Sequence, residues 1–337
     1  MMSQLSGLEV EMKGLDLSRE YYENVGKPIL MELFPEYMEK AAVGLVGEGS
    51  ECFGFDDQIS MDHDYGPSFC VWFPRNIYTE VRESMSEIYD ALPKEYKSVS
   101  ANLIREQSAG RRGILEIEGF YQKFLTRDIV PENLTDWLRI PEHYFAVATN
   151  GEVFEDNLGM FTEIREKLLN YYPEDIRLKK IAACAVKMAH SGQCNYARMM
   201  WRHDVVAAKF ALDEFMRNAI SLVFLLNRVY CPYYKWMWRG MEQLPKLGKV
   251  KDLLKNMAAG ALDVSHWDSG KWKECRYKLN REDPMVDMVE QIADLVREEL
   301  WSQGISSSTS DYLEEHAYAV MTRIQDKRIR SLPVLMG

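Results

Sequence analysis

The N-terminal third of the chain alternates helix-spaced apolar residues with short apolar runs. Apolar positions at helical spacing from about Ser18 to Lys40 predict one or two short helices. Residues 77–96 show the i, i+3, i+4 pattern of a longer helix, and another helix is expected from about Gly119. Three segments have the length and apolar content of strands: "AAVGLV" (41–46), "DHDYGPSFCVWF" (62–73) and "RRGILEIEGF" (111–120). This order predicts a small mixed sheet with helices packed on it.

The remainder of the chain has an almost entirely helical pattern. Residues 131–158 are richer in turn residues and are interpreted as a connector. Beyond them, residues 159–337 show helical spacing without a further strand signal. The predicted fold class is therefore α+β, with a mixed-sheet domain over residues 1–130 followed by a C-terminal α-helical bundle.

Composition and charge narrow the class of protein. The 337 residues are 47% hydrophobic and 28% charged, which is typical of a globular protein. A formal net charge of -11 argues against a broad nucleic-acid surface, because such surfaces need clustered Lys and Arg. The longest apolar run, Ala219 to Leu226, is far shorter than a membrane span, and the N-terminal residues lack the pattern of a secretory signal. A cytoplasmic protein with no membrane contact is expected.

Two aspartates at the start of the second predicted strand raise a question of charge. Asp62 and Asp64 would lie on one face of a strand, where two carboxylates repel each other unless a cation lies between them. Magnesium prefers carboxylate oxygens together with substrate phosphates, so the pair suggests a metal-phosphate site. Gly49 and Ser50, at the end of the preceding strand, would allow backbone amides to approach a polyphosphate. Taken alone, however, an Asp-x-Asp pair is more often solvated or capping a turn.

A third carboxylate is expected from the third predicted strand. Alternation along "LEIE" places Glu116 and Glu118 on one face, and either could complete the site. The other glutamate would then be a solvated strand residue.

Over Ala41 to Phe120 the chain has an apolar strand, a Gly-Ser pair, an Asp-x-Asp pair entering a second strand, a helix and an acidic strand. This order of elements resembles the nucleotidyltransferase superfamily with a polymerase-beta-like core, which includes kanamycin nucleotidyltransferase. This resemblance implies that Asp62 and Asp64 bind Mg²⁺ or Mn²⁺ and that Glu116 or Glu118 completes the coordination or accepts a proton. It also implies a reaction in which a hydroxyl attacks the α-phosphorus of a nucleoside triphosphate and pyrophosphate leaves.

Longer sequence segments, spread over nearly the whole chain, resemble a bacterial family named domain of unknown function 4037. The resemblance is carried by "GEGSECFGFDDQISMDHDYGPSFCVWF", "WLRIPEHYFAVATNGEVFEDNLGMF", "GQCNYARMMWRHD" and "LNRVYCPYYKWMWR". It implies the same fold without specifying a substrate.

The helical half offers a second set of candidate ligand-binding residues: Asn195, Arg198, Arg202, Tyr234 and Lys235. In a functional interpretation, Lys235 and one arginine contact phosphates while an aromatic ring packs on the base or the acceptor. In the alternative, the aromatics form a core cluster and the arginines pair with surface acids. Arg198 to His203 also fits a loose R-x-x-x-x-H pattern of ribonuclease-type helical domains, which leaves RNA cleavage as a further alternative.

The sequence therefore predicts a metal-dependent nucleotidyltransferase that uses a nucleoside triphosphate and releases pyrophosphate. Because the chain is acidic, a small-molecule hydroxyl acceptor is favoured over a nucleic acid. The alternative is a non-catalytic nucleotide-binding or partner-binding protein, of the toxin-antitoxin type, that keeps the fold.

Overall fold

The computed structural model describes residues 12–62, 65–100, 110–125, 129–268 and 277–337. The described residues form a mixed α+β protein with two compact units. The first unit falls within residues 1–130 and 144–170, and the second within residues 131–143 and 171–337.

The strands of the described residues all belong to the first unit: β1 (Ala42–Leu45), β2 (Cys70–Phe73), β3 (Glu95–Tyr96), β4 (Val99–Ser100), β5 (Gly113–Glu116) and β6 (Glu152–Asp156). Four of them form one sheet in the order β5-β2-β1-β6, and β3 and β4 form a separate two-stranded sheet. Strand β1 is antiparallel to β2 and β6, whereas β2 and β5 are parallel. The sheet is therefore mixed, as the sequence predicts.

The α-helices, in chain order, are α1 (Gly14–Tyr21), α2 (Lys27–Leu33), α3 (Pro35–Met38), α4 (Arg75–Ala91), α5 (Ile117–Phe124), α6 (Leu134–Arg139), α7 (Glu142–Thr149), α8 (Met160–Leu169), α9 (Glu174–Met188), α10 (Ala197–Trp201), α11 (Val205–Asn227), α12 (Tyr234–Met241), α13 (Gly248–Ala259), α14 (Ser265–Asp268), α15 (Pro284–Ser302), α16 (Leu313–Met321) and α17 (Lys327–Ser331). In the described ranges, two π-helical segments (Tyr22–Gly26 and Ala189–Tyr196) and three 3₁₀ turns (Glu51–Phe53, Gln58–Asp62 and Tyr277–Asn280) accompany them. No described helix has both the length and the apolar character needed to cross a membrane.

The sheet of the first unit is apolar on both faces. Val71 and Phe73 on β2 join one core cluster with Val81 and Met85 of α4. On the opposite face, the Trp72 ring stacks on Phe161 of α8 at a centroid distance of 4.3 Å. A central strand that is buried on both faces reads as a continuous apolar run, which explains the sequence "CVWF".

The second predicted strand begins later than expected. The pattern places it from Asp62, but Asp62 ends a 3₁₀ turn and β2 begins only at Cys70. Gly66 has a φ of 140° and Pro67 has no backbone N–H, so neither continues a strand ladder. The expectation that Asp62 and Asp64 share one strand face is therefore wrong for Asp62, and Asp64 lies outside the described residues.

The third predicted strand is shorter than expected. Strand β5 ends at Glu116, and Ile117 is already the first residue of α5. Glu118 therefore lies in the first helical turn, and the prediction that it shares a strand face with Glu116 is wrong. The helix expected near Gly119 begins two residues earlier.

The stretch 131–158 contains regular structure between its turn residues. It holds α6, α7 and β6, and β6 pairs with β1 over the register Ala42–Asp156 to Leu45–Glu152. Gly151 has a φ of 61°, and a Cβ built on it would lie 1.9 Å from the Leu45 carbonyl oxygen. A glycine is therefore required where this turn meets the end of β1.

Candidate functional site

The loop that follows β1 is held in a conformation that favours glycine. Gly47 and Gly49 have φ values of 118° and 130°. The Gly47 N–H donates to Asn150 Oδ1 and the Asn150 amide nitrogen donates to the Gly47 carbonyl oxygen, each over 2.8 Å. Arg165 in turn donates to the carbonyls of Thr149 and Gly151, on either side of Asn150. The loop is thus anchored to the turn before β6.

Three successive backbone N–H groups of this loop are candidate donors to an anion. The N–H groups of Glu48, Gly49 and Ser50 make no hydrogen bond to any residue that the structure describes. Consecutive backbone N–H groups at a glycine turn commonly form a concave anion site. A Cβ built on Gly49 would lie 2.4 Å from Glu51 Oε1, so a side chain there would also collide with the loop itself.

A buried ion pair supports the loop. The Arg112 Nη2 atom lies 2.5 Å from Glu51 Oε1, and the two side chains are only 8% and 11% exposed. Arg112 also donates to the Glu48 carbonyl oxygen over 3.1 Å. Removing either charge would leave the other buried and unpaired, so this pair stabilises the loop and is not available to a ligand.

A cavity of about 200 Å³ lies beside the loop within the first unit. Its walls combine aromatic and charged side chains: Tyr78, Phe120 and Phe124 with Glu48, Arg111, Glu116 and Lys123. Small-molecule sites combine apolar surface with a few convergent polar groups in the same way, in cavities that are usually larger, roughly 300–1,000 Å³.

The charged groups of the cavity are paired with each other. The Glu48 carboxylate contacts both Arg111 Nε at 3.3 Å and Lys123 Nζ at 2.5 Å. The Glu116 carboxylate contacts Arg75 Nε at 2.5 Å. Two cations and two carboxylates thus line the cavity, and Arg75 pairs with Glu116 without lining it.

The structure brings some of the predicted residues together. Gly49 and Ser50 lie in the loop, and Glu116 lines the adjoining cavity. Glu118 does not line the cavity, and its buried Oε2 makes no hydrogen bond to the described residues. The Asp62 side chain and all of Asp64 lie outside the described part of the chain, so their assignment as ligands stays a prediction.

The predicted residues of the helical half belong to the second unit. Their side chains are exposed there: Asn195, Arg198, Arg202, Tyr234 and Lys235. Lys235 and Tyr234 begin α12, and the Lys235 Nζ lies 5.1 Å from the centre of the Trp236 ring. Their contact with phosphates or a base stays a prediction.

Sequence reasoning missed the cations of the cavity and the residue that anchors the loop. Arg111 and Arg112 directly precede β5, so a pair of basic residues before a predicted strand was the available signal. Lys123 lies one helical turn after Gly119 on α5. Asn150 gave no signal, because its partner Gly47 is 103 residues away.

A metal site is not formed by the described carboxylates alone. Among the residues that the structure describes, no group of three or more His, Cys, Asp or Glu side chains is arranged to bind a metal ion. Glu48 and Glu116 are instead neutralised by cations. The magnesium prediction therefore depends on Asp62 and Asp64.

Comparison with known proteins adds one result. Residues 137–237 match the family model described as Domain of unknown function (DUF4037). The match spans less than a third of the chain and supports the resemblance to that family. It does not include Ala41 to Phe120, which carry the resemblance to nucleotidyltransferases. No curated protein matches the chain.

Proposed function

We propose that this protein is a metal-dependent nucleotidyltransferase that transfers a nucleoside monophosphate to a hydroxyl of a small molecule. The observation that carries the proposal is the anchored glycine loop, with three N–H groups unbonded to described residues, next to a cavity whose lining includes Arg111 and Lys123. A polyphosphate needs both backbone donors and positive charge, and an acidic protein must supply these locally.

The cavity walls suit the two parts of a nucleotide. Arg111 and Lys123 supply charge for phosphate oxygens, and Arg111 can offer two parallel N–H donors. The rings of Tyr78, Phe120 and Phe124 supply an apolar surface for a base or for the ring of an acceptor. The contact of the second-unit residues Asn195, Arg198, Arg202, Tyr234 and Lys235 with a phosphate or a base stays a prediction from the sequence.

In the proposed reaction the acceptor oxygen bonds to the α-phosphorus, the bond from that phosphorus to the bridging oxygen breaks, and pyrophosphate leaves. The proton of the hydroxyl passes to a carboxylate, for which Glu116 is preferred over Glu118 because it lines the cavity. Mg²⁺ or Mn²⁺ bound by Asp62 and Asp64 would neutralise charge on the phosphoryl oxygens.

The test is a transfer assay with each of the four nucleoside triphosphates labelled at the α-phosphate. The acceptors are a small-molecule pool, tRNA and whole-cell protein, and we expect label in the small-molecule pool together with pyrophosphate release. Glu116→Gln should abolish transfer, while the matched variant Glu118→Gln should retain it. Failure of the wild-type protein to bind or turn over any triphosphate would refute the proposal.

The second candidate is a nucleotide-binding protein without catalysis. It is favoured by one observation, namely that both carboxylates of the cavity are already paired with cations. In that case a triphosphate would bind and be recovered intact, with no pyrophosphate released under any acceptor condition.

A further inference from the structure

We infer that Glu48 is an internal anion that occupies a pyrophosphate-binding subsite formed by Arg111 and Lys123, and that an incoming polyphosphate displaces it. The inference deepens the proposed function, on which it rests for the identity of the ligand. It assigns the ligand chemistry to two named cations and gives Glu48 a competitive role.

The geometry separates a fixed backbone from a movable side chain. Gly47, the preceding residue, is held by Asn150, and the Glu48 carbonyl oxygen accepts a hydrogen bond from Arg112. The Glu48 side chain is 34% exposed and reaches back to Arg111 and Lys123, which are 31% and 44% exposed. Its carboxylate can therefore leave the two cations without moving the loop.

A second ion pair of the same loop is buried and therefore fixed, in contrast to the pairs of Glu48. The Glu51–Arg112 pair is almost fully buried, so separating it would strand a charge away from water. The Glu48 pairs face the cavity and solvent, where a carboxylate released from its partners is hydrated at small cost.

Charge and shape both favour polyphosphate over the carboxylate. One carboxylate offers a single charge and two oxygens to two cations, whereas pyrophosphate offers several charges and more acceptor oxygens. The N–H group of Glu48, unbonded to described residues, belongs to a residue that lines the same cavity and is a further donor that the Glu48 carboxylate does not use. Glu116 remains paired with Arg75 and does not compete for Arg111 or Lys123.

The experiment is calorimetric titration with inorganic pyrophosphate in metal-free buffer. We expect Glu48→Gln to tighten pyrophosphate binding by roughly twofold to fivefold, since a partly exposed charge pair is worth at most about a factor of five. Lys123→Met should weaken binding by a similar factor. The control Glu20→Gln removes one charge from an ion pair with Lys97 outside the cavity and should leave the affinity unchanged.

Thermal unfolding of each variant establishes that it is folded. If Glu48→Gln binds pyrophosphate no more tightly than the wild type, or if neither protein binds it, the inference is overturned. The transfer assay separates the two claims. The expected binding pattern without nucleotide transfer would retain the inference and reject the proposed function, whereas transfer without an effect of Glu48→Gln would do the reverse.

Discussion

The Asn150 side-chain amide forms two hydrogen bonds with the backbone of Gly47, one to its N–H and one to its carbonyl oxygen, each 2.8 Å long. The two residues are 103 positions apart and belong to the same unit. The pair fixes the position of the loop after β1 relative to the turn before β6. It thereby fixes the backbone donors that the proposed function assigns to phosphate.

Replacing Asn150 by alanine should lower the free energy of unfolding by about 1–3 kcal/mol, because two backbone groups lose their partners. Asn150→Asp keeps an acceptor for the Gly47 N–H but loses the donor to the Gly47 carbonyl oxygen. Its free energy of unfolding should therefore lie no higher than midway between those of the wild type and Asn150→Ala. Urea unfolding measures both values. The control is Asn24→Ala, because the hydrogen bonds of the Asn24 side-chain amide are exposed. Equal stability of Asn150→Ala and Asn24→Ala would contradict the anchoring role.

Gly49→Ala should destabilise the protein by about 1–3 kcal/mol, because alanine is strained at a φ of 130° and its Cβ would meet Glu51. The matched control is Gly248→Ala at the start of α13, where a Cβ has no neighbour within 4 Å. That substitution should be neutral or stabilising by about 0.4–1 kcal/mol. Thermal unfolding of the two variants compares them, and a stable Gly49→Ala would show that the loop adjusts.

The buried pair of Glu51 and Arg112 should behave as a coupled unit. Arg112→Met should cost about 3–5 kcal/mol, because it leaves the Glu51 carboxylate buried without its partner. The double variant Glu51→Gln/Arg112→Met should be less destabilised than the sum of the single variants. A double-mutant cycle by denaturant unfolding measures this coupling. Additive losses would mean that the two side chains act independently.

Glu290 should make stability depend on pH. Its side chain is 1% exposed, and this burial raises the pKa of its carboxyl from 4.5 to about 7. A hydrogen bond from Gln193 and the positive charges of Arg281 and Arg297 act to lower the pKa, and the negative charge of Asp294 acts to raise it. Between pH 4.5 and pH 7 the unfolded chain releases this proton first. The free energy of unfolding should therefore fall as pH rises through that range, by on the order of 1–3 kcal/mol.

Glu290→Gln should remove most of this contribution and be more stable than the wild type at pH 8, as measured by urea unfolding across the pH range. The control Glu163→Gln changes an exposed glutamate whose pKa is lowered by Lys167, and it should leave the slope unchanged. A wild-type slope that persists in Glu290→Gln would assign the dependence elsewhere, and Glu142 is the next candidate because burial raises its pKa to about 7 as well.

Magnesium with a triphosphate should stabilise the native protein by about 2.7 kcal/mol at a hundredfold excess over Kd. Substituting Asp62→Asn together with Asp64→Asn should abolish that stabilisation while leaving the melting point without ligand unchanged or raised. Differential scanning calorimetry measures both. A lower melting point of the ligand-free double variant would mean that the aspartates are structural.

Local pattern was sufficient for much of the fold. The apolar runs and helical periodicity predicted β1, the helix over 75–91 and the helical second half, because each depends on residues that are close in sequence. The sequence pattern did not predict where β2 begins or where β5 ends. The Gly66-Pro67 pair delays β2 to Cys70, and β5 gives way to α5 between Glu116 and Glu118.

The sequence by itself determined the mixed α+β class, the glycines of the loop and the net acidic charge, from which any anion site is expected to be local. Only the tertiary structure decided which cations meet there. Arg111 and Lys123 reach Glu48 across 63 and 75 positions of chain, and Asn150 reaches Gly47 across 103. Such contacts follow from sheet pairing and helix packing over long separations, which no periodicity within a short window can record.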